Sequence, residues 1–520
     1  MKNTIAIIVI AIVVNINAQN HRKVGKEIGF VLGSYNTAYG TKALISNTSG
    51  FYNTAHGYEA LYDNTEGAYN TASGTNALSS NTTGSYNTAS GTYALLNNTT
   101  GDFNTAIGNQ ALQENTTGWY NIASGAYALQ NNTTGWFNSA SGVYALQNNT
   151  TGFNNTANGF EALKNNTLGS CNTASGFRAL KNNTLGIQNT AFGQEALASN
   201  TTGYLNTASG YYALYSNTTG MQNTAFGHEA LASNTTGIEN TASGLCALYS
   251  NTTGNHNTAS GFSALGDNIT GSINTASGAY ALYSNITGEQ NTANGYEALK
   301  NNTSGDNNTA SGAYALEKNT LGNYNTASGH KALQENIGDN NSALGAYALQ
   351  NNTTGNKNTA FGYKTKTSKD NATNQTVIGY DTTGRADNSV TIGNEDVTAV
   401  YMGEDSGAKI YAGEASFNGD IVVSSDVRLK ANIVSLGATL AKLLLIDGKT
   451  YTMKKGSKQK IGVLAQDIQE VFPELVSIDD KEMLAVNYLG LIPVLINAMK
   501  EQEDKISRLE GLVEKLIANK

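Results

Sequence analysis

The sequence predicts a mostly β chain: a long β-roll or β-solenoid of about twenty 17-residue coils, then a small α/β domain ending in a coiled-coil helix. Three observations carry this. A 17-residue period with a single slip runs from Asn36 to Asn358. Composition is strongly biased: Gly numbers 56, Pro 2, and charged residues make up 13% of the 520-residue chain, which signals an internal repeat rather than several ordinary cores. The bias ends near residue 425, and the final 96 residues hold 27 of the 70 charged residues and both prolines.

Residues 1–18 have the parts of a secretory signal: Lys2 supplies positive charge, Ile5 to Val14 is unbroken apolar sequence, and Ala18 offers a small residue for cleavage before Gln19. That run is too short for a permanent membrane anchor. No other segment reaches transmembrane length, so an exported chain without a transmembrane segment after signal removal is expected. Residues 19–35 read as a linker.

From residue 36 to 373 the consensus is N-T-A-S-G-x-Y-A-L-x-x-N-T-T-G-x-x. Its first Asn falls at Asn36, Asn53, Asn70 and so on to Asn325, making 18 copies, and after the loss of one residue two more start at Asn341 and Asn358. Leucine holds the ninth place from Leu44 to Leu349 and gives way to Lys366 in the last copy. Identical copies adopt one backbone and stack. Gly40, Gly50 and their equivalents mark two turns per repeat, where the dihedrals should disfavour other residues. The short segments between turns, rich in Asn and Thr, suit strands better than helices. At about 4.8 Å per coil, twenty coils give a rod on the order of 95 Å. Each coil offers one Leu and two Ala for burial. A buried Leu contributes about 1.5–3 kcal/mol, while ordering each backbone residue costs roughly 1–2 kcal/mol. The expectation is therefore that rods associate side by side through the Ala-Leu stripe. The repeated Asn-x-Thr triplets read as structural ladders and turns rather than glycosylation acceptors.

Several classes are excluded. A net charge of −8 without clustered Lys and Arg gives no nucleic-acid surface. The five histidines are scattered without ligand spacing, so neither a metal nor a cofactor is assigned. Cys171 and Cys246 make no disulfide framework and read as buried small side chains. No acidic pair breaks the repeat, which argues against a polysaccharide-degrading solenoid.

Between 374 and 424 the pattern changes. Thr376-Val377-Ile378-Gly379 is followed 14 residues later by Val390-Thr391-Ile392-Gly393, within Asn388-Ser389-Val390-Thr391-Ile392-Gly393. These residues resemble the N-S-V-A-I-G motif in the head of YadA-like trimeric autotransporter adhesins. The resemblance implies a trimeric left-handed β-roll that binds surfaces, with residues 374–424 as head end and neck. That family's membrane-anchoring barrel is not expected here, because nothing after residue 424 shows paired ten-residue alternating strands.

In the last segment, 425–520, Ile461 to Ala465 reads as a buried strand and Gln466 to Val471 as a helical turn before Pro473. Ile492, Leu495, Met499, Gln502, Ile506, Leu509, Val513 and Leu516 then form a heptad seam, which does not by itself fix the number of strands. Ser425-Asp426-Val427-Arg428-Leu429-Lys430-Ala431-Asn432-Ile433 resembles the S-D-x-R-L-K-x-N-I signature of the peptidase S74 family, the intramolecular chaperones of phage tail spikes and fibres. Ile461 to Asp467, Val471 to Val476, and Tyr488 with Leu491 to Leu495 match that family's later motifs, with Asp467 where Glu is usual. The resemblance implies a homotrimer. It also implies a single-turnover self-cleavage of the Ser424–Ser425 bond, with Ser425 as nucleophile and Lys430 as its base. A lysine needs desolvation to act so at neutral pH. Five residues do not share a helix face, so Ser425 should precede the helix, with Lys430 folding back or coming from a neighbouring chain. A plain helix N-cap at Ser425 is the alternative. The whole reads as a secreted or cell-surface trimeric fibre, adhesive toward a surface glycan or protein. The alternatives are a phage-derived tail fibre binding a host receptor, or an ice- or glycan-binding solenoid with a flat, wide, Thr-rich face.

Overall fold

The computed structural model describes residues 35–403, 415–454, 457–479 and 481–520. The secretory signal read at 1–18 lies outside them. The chain divides after Tyr401 into two units.

The first unit is a parallel β-solenoid. Its strands run from β1 (Thr37–Tyr39) through β20 (Thr359–Phe361), one per repeat, and close with β21 (Gln375–Ile378) and β22 (Ser389–Ile392). Each strand pairs in parallel with the next at identical repeat positions, as in Thr71↔Thr88 and Ala72↔Ala89. The 14-residue spacing continues the same stack, with Thr376 opposite Val390. The strands β1 to β20 are three residues long because the chain bends soon after each. Outside them the backbone still bonds coil to coil, as from Leu78 N–H to the Ala94 carbonyl at 3.0 Å.

The bends differ from those the glycine pattern predicts. The glycine after each strand does need its freedom: Gly74 has φ 140°, and a Cβ there would meet the Gly91 carbonyl oxygen at 2.5 Å. The second glycine has ordinary dihedrals and is required by space, since a Cβ on Gly84 would lie 2.5 Å from Asn81 Oδ1. The remaining left-handed residues are not glycines. In the coil after Asn70 they are Asn76, Leu78 and Tyr86, with φ of 56°, 52° and 60°. Stacking repeats this conformation in coil after coil, so neighbouring coils hold residues that would not adopt it alone.

Each coil closes on its own core. Asn70, Ala72, Ala77, Leu78 and Asn81 are all 0% exposed, and the same places are buried along the stack. The Ala-Leu stripe is therefore interior to one chain and cannot be the side-by-side interface expected from sequence. What the apolar count omitted is two buried asparagine ladders. In the first, Asn70 N–H donates to Asn53 Oδ1 (3.0 Å) and Asn70 Nδ2 to the Gly84 carbonyl (2.8 Å). In the second, Asn81 Nδ2 donates to Asn64 Oδ1 (2.8 Å) and to the same Gly84 carbonyl (2.9 Å). A buried turn carbonyl thus gains two donors, and each amide is satisfied by its neighbours. The triplet Asn at this place is inaccessible to glycosylation, as the structural reading expects.

The lost residue leaves a mark. With the turn after Asn336 one residue short, Asn336 Nδ2 donates to the Gly338 carbonyl (2.9 Å). Its Oδ1 accepts from Asn341 and Asn352. Asn319 Oδ1, one coil earlier, is left buried without a partner.

On the outside, Tyr35, Tyr52, Tyr69, Tyr86, Phe103, Tyr120 and Phe137 stack face to face at 4.6–5.1 Å. Their faces cover one another, so they present edges to solvent. The strands turn Thr and Ser outward, only two side chains wide, and Ile107, Phe192 and Phe226 interrupt that row. The wide flat Thr face expected of an ice-binding solenoid is thus replaced by a narrow, broken one. Cys171 is exposed and Cys246 half-buried, rather than both buried, because each occupies an outward left-handed position, at φ 59° and 55°.

The second unit contains α1 (Leu440–Leu443), the antiparallel pair β23 (Lys449–Thr452) and β24 (Gln459–Gly462), and α2 (Ala465–Val471). The antiparallel pair β25 (Val476–Ile478) and β26 (Leu484–Val486) and the long helix α3 (Leu491–Ala518) follow. Its buried cluster is small: Ile468, Phe472, Leu475 and Val494. The strand expected to be buried at 461–465 is instead open to solvent, with Ile461 83% exposed, because β24 pairs on one edge and packs little. Val494 and Ala498 are the residues α3 buries. Its heptad seam points elsewhere, and Met499, Leu509 and Leu516 are all more than half exposed. No helix among the described residues is long and apolar enough to cross a membrane.

Candidate functional site

The signature segment forms one 3₁₀ turn, Val427–Leu429. Asp426 is its N-cap, in extended conformation, and its carboxylate accepts from Arg428 N–H at 2.8 Å. The Arg428 guanidinium grips the same carboxylate through Nε (3.0 Å) and Nη2 (2.6 Å). That fork holds the Asp426 carboxyl below the ordinary carboxylate range. Ser425 is therefore not the cap and stands just outside the turn. Lys430 closes the turn, donating its N–H to the Val427 carbonyl at 3.1 Å.

A single tight turn leaves its flanking residues on one side. Lys430 Nζ reaches back and donates to Ser425 Oγ at 2.6 Å, within one chain. The structure thus brings together the two residues expected to act together, and Ser424 precedes them with its carbonyl carbon in the bond to Ser425. Ser425 and Lys430 are both exposed. An ammonium that donates a hydrogen bond must lose a proton before it can accept one from the serine. Burial favours that loss.

Elsewhere in the unit a second cluster of polar contacts ties α3 to the start of α1. Glu501 on α3 accepts from the backbone N–H groups of Thr439 and Leu440 and from Thr439 Oγ1, capping the start of α1. The bond from Thr439 N–H comes first among the causes that hold the Glu501 carboxyl low. Asn497 donates to Thr439 Oγ1 at 3.1 Å. Sequence reasoning missed this clamp because its partners lie about 60 residues apart with no local pattern.

Two of the motif residues also meet. Tyr488 Oη accepts from Val463 N–H at 3.2 Å, and a Cβ on Gly462 would lie 2.6 Å from that oxygen. Glycine at 462 admits the tyrosine. Tyr451, Leu464, Met483 and Val486 line an open recess of about 570 Å³ beside it.

Residues 425–477 match the peptidase S74 family, described as chaperone of endosialidase. The match begins at Ser425. The chain is also similar to long tail fibre proteins Gp37. It is 33% identical over 97 residues to that of Escherichia phage AR1, covering 17% of this chain and 9% of the relative. It is 30% identical over 118 residues to that of Enterobacteria phage M1, covering 21% and 47%. With that of Enterobacteria phage Ox2 it shares 30% over 108 residues, covering 19% and 43%. The matches span less than half the length of these relatives. The chain thus joins a β-solenoid to a C-terminal chaperone-type domain of the kind found with tail fibres.

Proposed function

We propose that three copies of this chain form an exported, adhesive surface fibre. The C-terminal domain drives trimerisation and is then released by cutting the Ser424–Ser425 bond. The observation that carries the reading is the 2.6 Å contact between Lys430 Nζ and Ser425 Oγ at the first residue of the matched segment. In the reaction, Lys430 as the neutral amine takes the Ser425 hydroxyl proton, and Oγ attacks the Ser424 carbonyl carbon. The C–N bond breaks, the nitrogen takes a proton, and an ester joins Ser424 to Ser425 Oγ. Water opens the ester, leaving a carboxylate at Ser424 and a new amino terminus at Ser425. Each proton Lys430 accepts is handed on, so it ends as it began.

Assembly supports this chemistry in two ways. The exposed α3 seam finds partners in other copies, supplying apolar burial that the small core lacks. The same closure removes water from the exposed Ser425–Lys430 pair and favours a neutral lysine. Expression of wild type beside Ser425→Ala tests the reading. Wild type should yield a C-terminal fragment of 96 residues and a trimer of the long fragment, and the variant an uncut chain. Uncut wild type would reduce the domain to a non-cleaving cap.

The tail-fibre relatives favour a second reading, a phage-derived fibre that binds a host receptor. Fusing residues 1–35 to a reporter separates the two, because export of the reporter supports the surface fibre and retention supports the phage reading.

A further inference from the structure

In a repeat this regular, a place where several side chains depart together from the pattern is informative. One such place lies on the outer face around the fourteenth coil, where Gly266 occupies a position held by larger residues such as Gln130, Lys164 and Tyr249 in other coils. A Cβ on Gly266 would lie 2.8 Å from Cε2 of Tyr283, so the glycine lets that ring lean inward. At the left-handed position usually taken by Tyr or Glu, this stretch has Cys246 and Ser263.

The missing bulk leaves a recess of about 180 Å³ between the rings of Tyr249 and Tyr283. Ser263 lines it and is only 8% exposed, yet its hydroxyl has no hydrogen-bond partner among the described residues. Asp267 also lines it, with no cation or side-chain donor beside it, and burial pushes its carboxyl up. Glu229 stands at the rim, where Cys246 Sγ donates to it at 3.7 Å and His228 Nδ1 lies 3.7 Å from the same carboxylate. Elsewhere on this face acids have cations: Glu161 meets Lys164 and Arg178, and Glu297 meets Lys300. Here two carboxylates, two aromatic rings and an unpartnered hydroxyl converge with no lysine or arginine among the described residues beside them, and Asp267 has no histidine either.

We propose that this recess is a binding site for a primary alkylammonium group. Asp267 and Glu229 supply the counter-charge, the Ser263 hydroxyl accepts one ammonium N–H, and Tyr249 and Tyr283 flank the alkyl stem and the cation. A recess of this volume takes a single side-chain-sized group rather than a larger molecule. The group can come from a small free amine or from a lysine side chain of a partner. The site is independent of the Ser425–Lys430 chemistry and requires no cleavage.

Cys246 lies in the recess and Cys171 is exposed far along the sequence, so the two thiols give a probe and its internal reference. The native full-length chain is alkylated at mildly alkaline pH, where an alkylamine stays charged, and both sites are followed by peptide mass. With n-butylammonium at four times its dissociation constant, alkylation of Cys246 should slow about five-fold and that of Cys171 should not change. Neutral n-butanol should have no effect, and Asp267→Asn should abolish the protection. Asn occupies the equivalent place at Asn131 and Asn148, so that variant keeps the repeat intact. Gly266→Gln, which fills the recess, should abolish it as well. Nα-acetyl-lysine methylamide distinguishes the sources: protection at lower concentration than butylammonium assigns a lysine side chain, and weaker protection assigns a free amine. No protection by either amine, equal protection by butanol, or protection that survives Asp267→Asn overturns the proposal.

Discussion

Replacing Asn81 by Ala tests whether the solenoid is held by its buried amides as much as by its leucines. Asn81 Nδ2 donates to Asn64 Oδ1 and to the Gly84 carbonyl, and its Oδ1 accepts from Asn98 Nδ2 at 2.8 Å. The Gly84 carbonyl keeps its bond from Asn70, so it stays satisfied. Two groups do not: Asn64 Oδ1 loses its donor, and one N–H of Asn98 loses its acceptor. Each buried orphan costs about 1–3 kcal/mol, so the two together should destabilise by about 2–6 kcal/mol. That overlaps the range of about 2–5 kcal/mol for Leu78→Ala, a large-to-small change in the same core. Thr100→Ala, at an exposed site, should stay within about 0.5 kcal/mol. Urea unfolding followed by circular dichroism gives all three values. Hydrogen exchange should place the loss in the coils around Asn64 to Asn98, since each coil contacts only its neighbours. An Asn81→Ala chain as stable as Thr100→Ala would refute the ladder as a source of stability.

Three further outcomes follow from the same geometry. Inserting a Thr between Asn336 and Ile337 restores the full turn and gives Asn319 Oδ1 its donor, so unfolding should become about 1–3 kcal/mol more costly in the same urea assay. Glu161 is pushed up by burial, but bonds from Lys164, Lys181 and Arg178 outweigh this and hold it at about 2. Its stabilisation is therefore complete above its unfolded value near 4.5 and lost as pH falls toward 2. Glu161→Gln should cost about 1–2 kcal/mol at neutral pH, a figure reduced for the solvent around Arg178, and should flatten the acid limb of a pH–stability curve. Leu509→Asp on the exposed seam should leave the fold of the solenoid intact by circular dichroism. It should shift the sedimenting species from trimer to monomer.

The repeat was legible because a 17-residue period allows few solutions, and short stacked strands follow from it, although the Ala-Leu stripe was expected between rods rather than inside one. Two features of it were not. Two of the five buried side chains in a typical coil are amides, which apolar counting at Leu44 and Ala43 cannot reveal. The turns also rest on left-handed Leu78 and Tyr86, residues whose own preferences point elsewhere. Only stacking stabilises them, and stacking is not a local property. In the second unit, the Ser425–Lys430 pair was legible only through the resemblance of residues 425–433 to the peptidase S74 signature, since the five-residue spacing by itself left open whether Lys430 folds back or comes from a neighbouring chain. The Glu501 cap of Thr439 and the exposure of Ile461 were not, since both depend on which surfaces α3 and β24 leave uncovered.

The central claim is that Ser425 cuts its own preceding bond with Lys430 as base. The most direct measurement is the intact mass and amino-terminal residue of the C-terminal fragment from wild type and Lys430→Ala. The account predicts a wild-type fragment that starts at Ser425 and none from the variant. A fragment starting elsewhere, or one formed at the wild-type rate without Lys430, would contradict it.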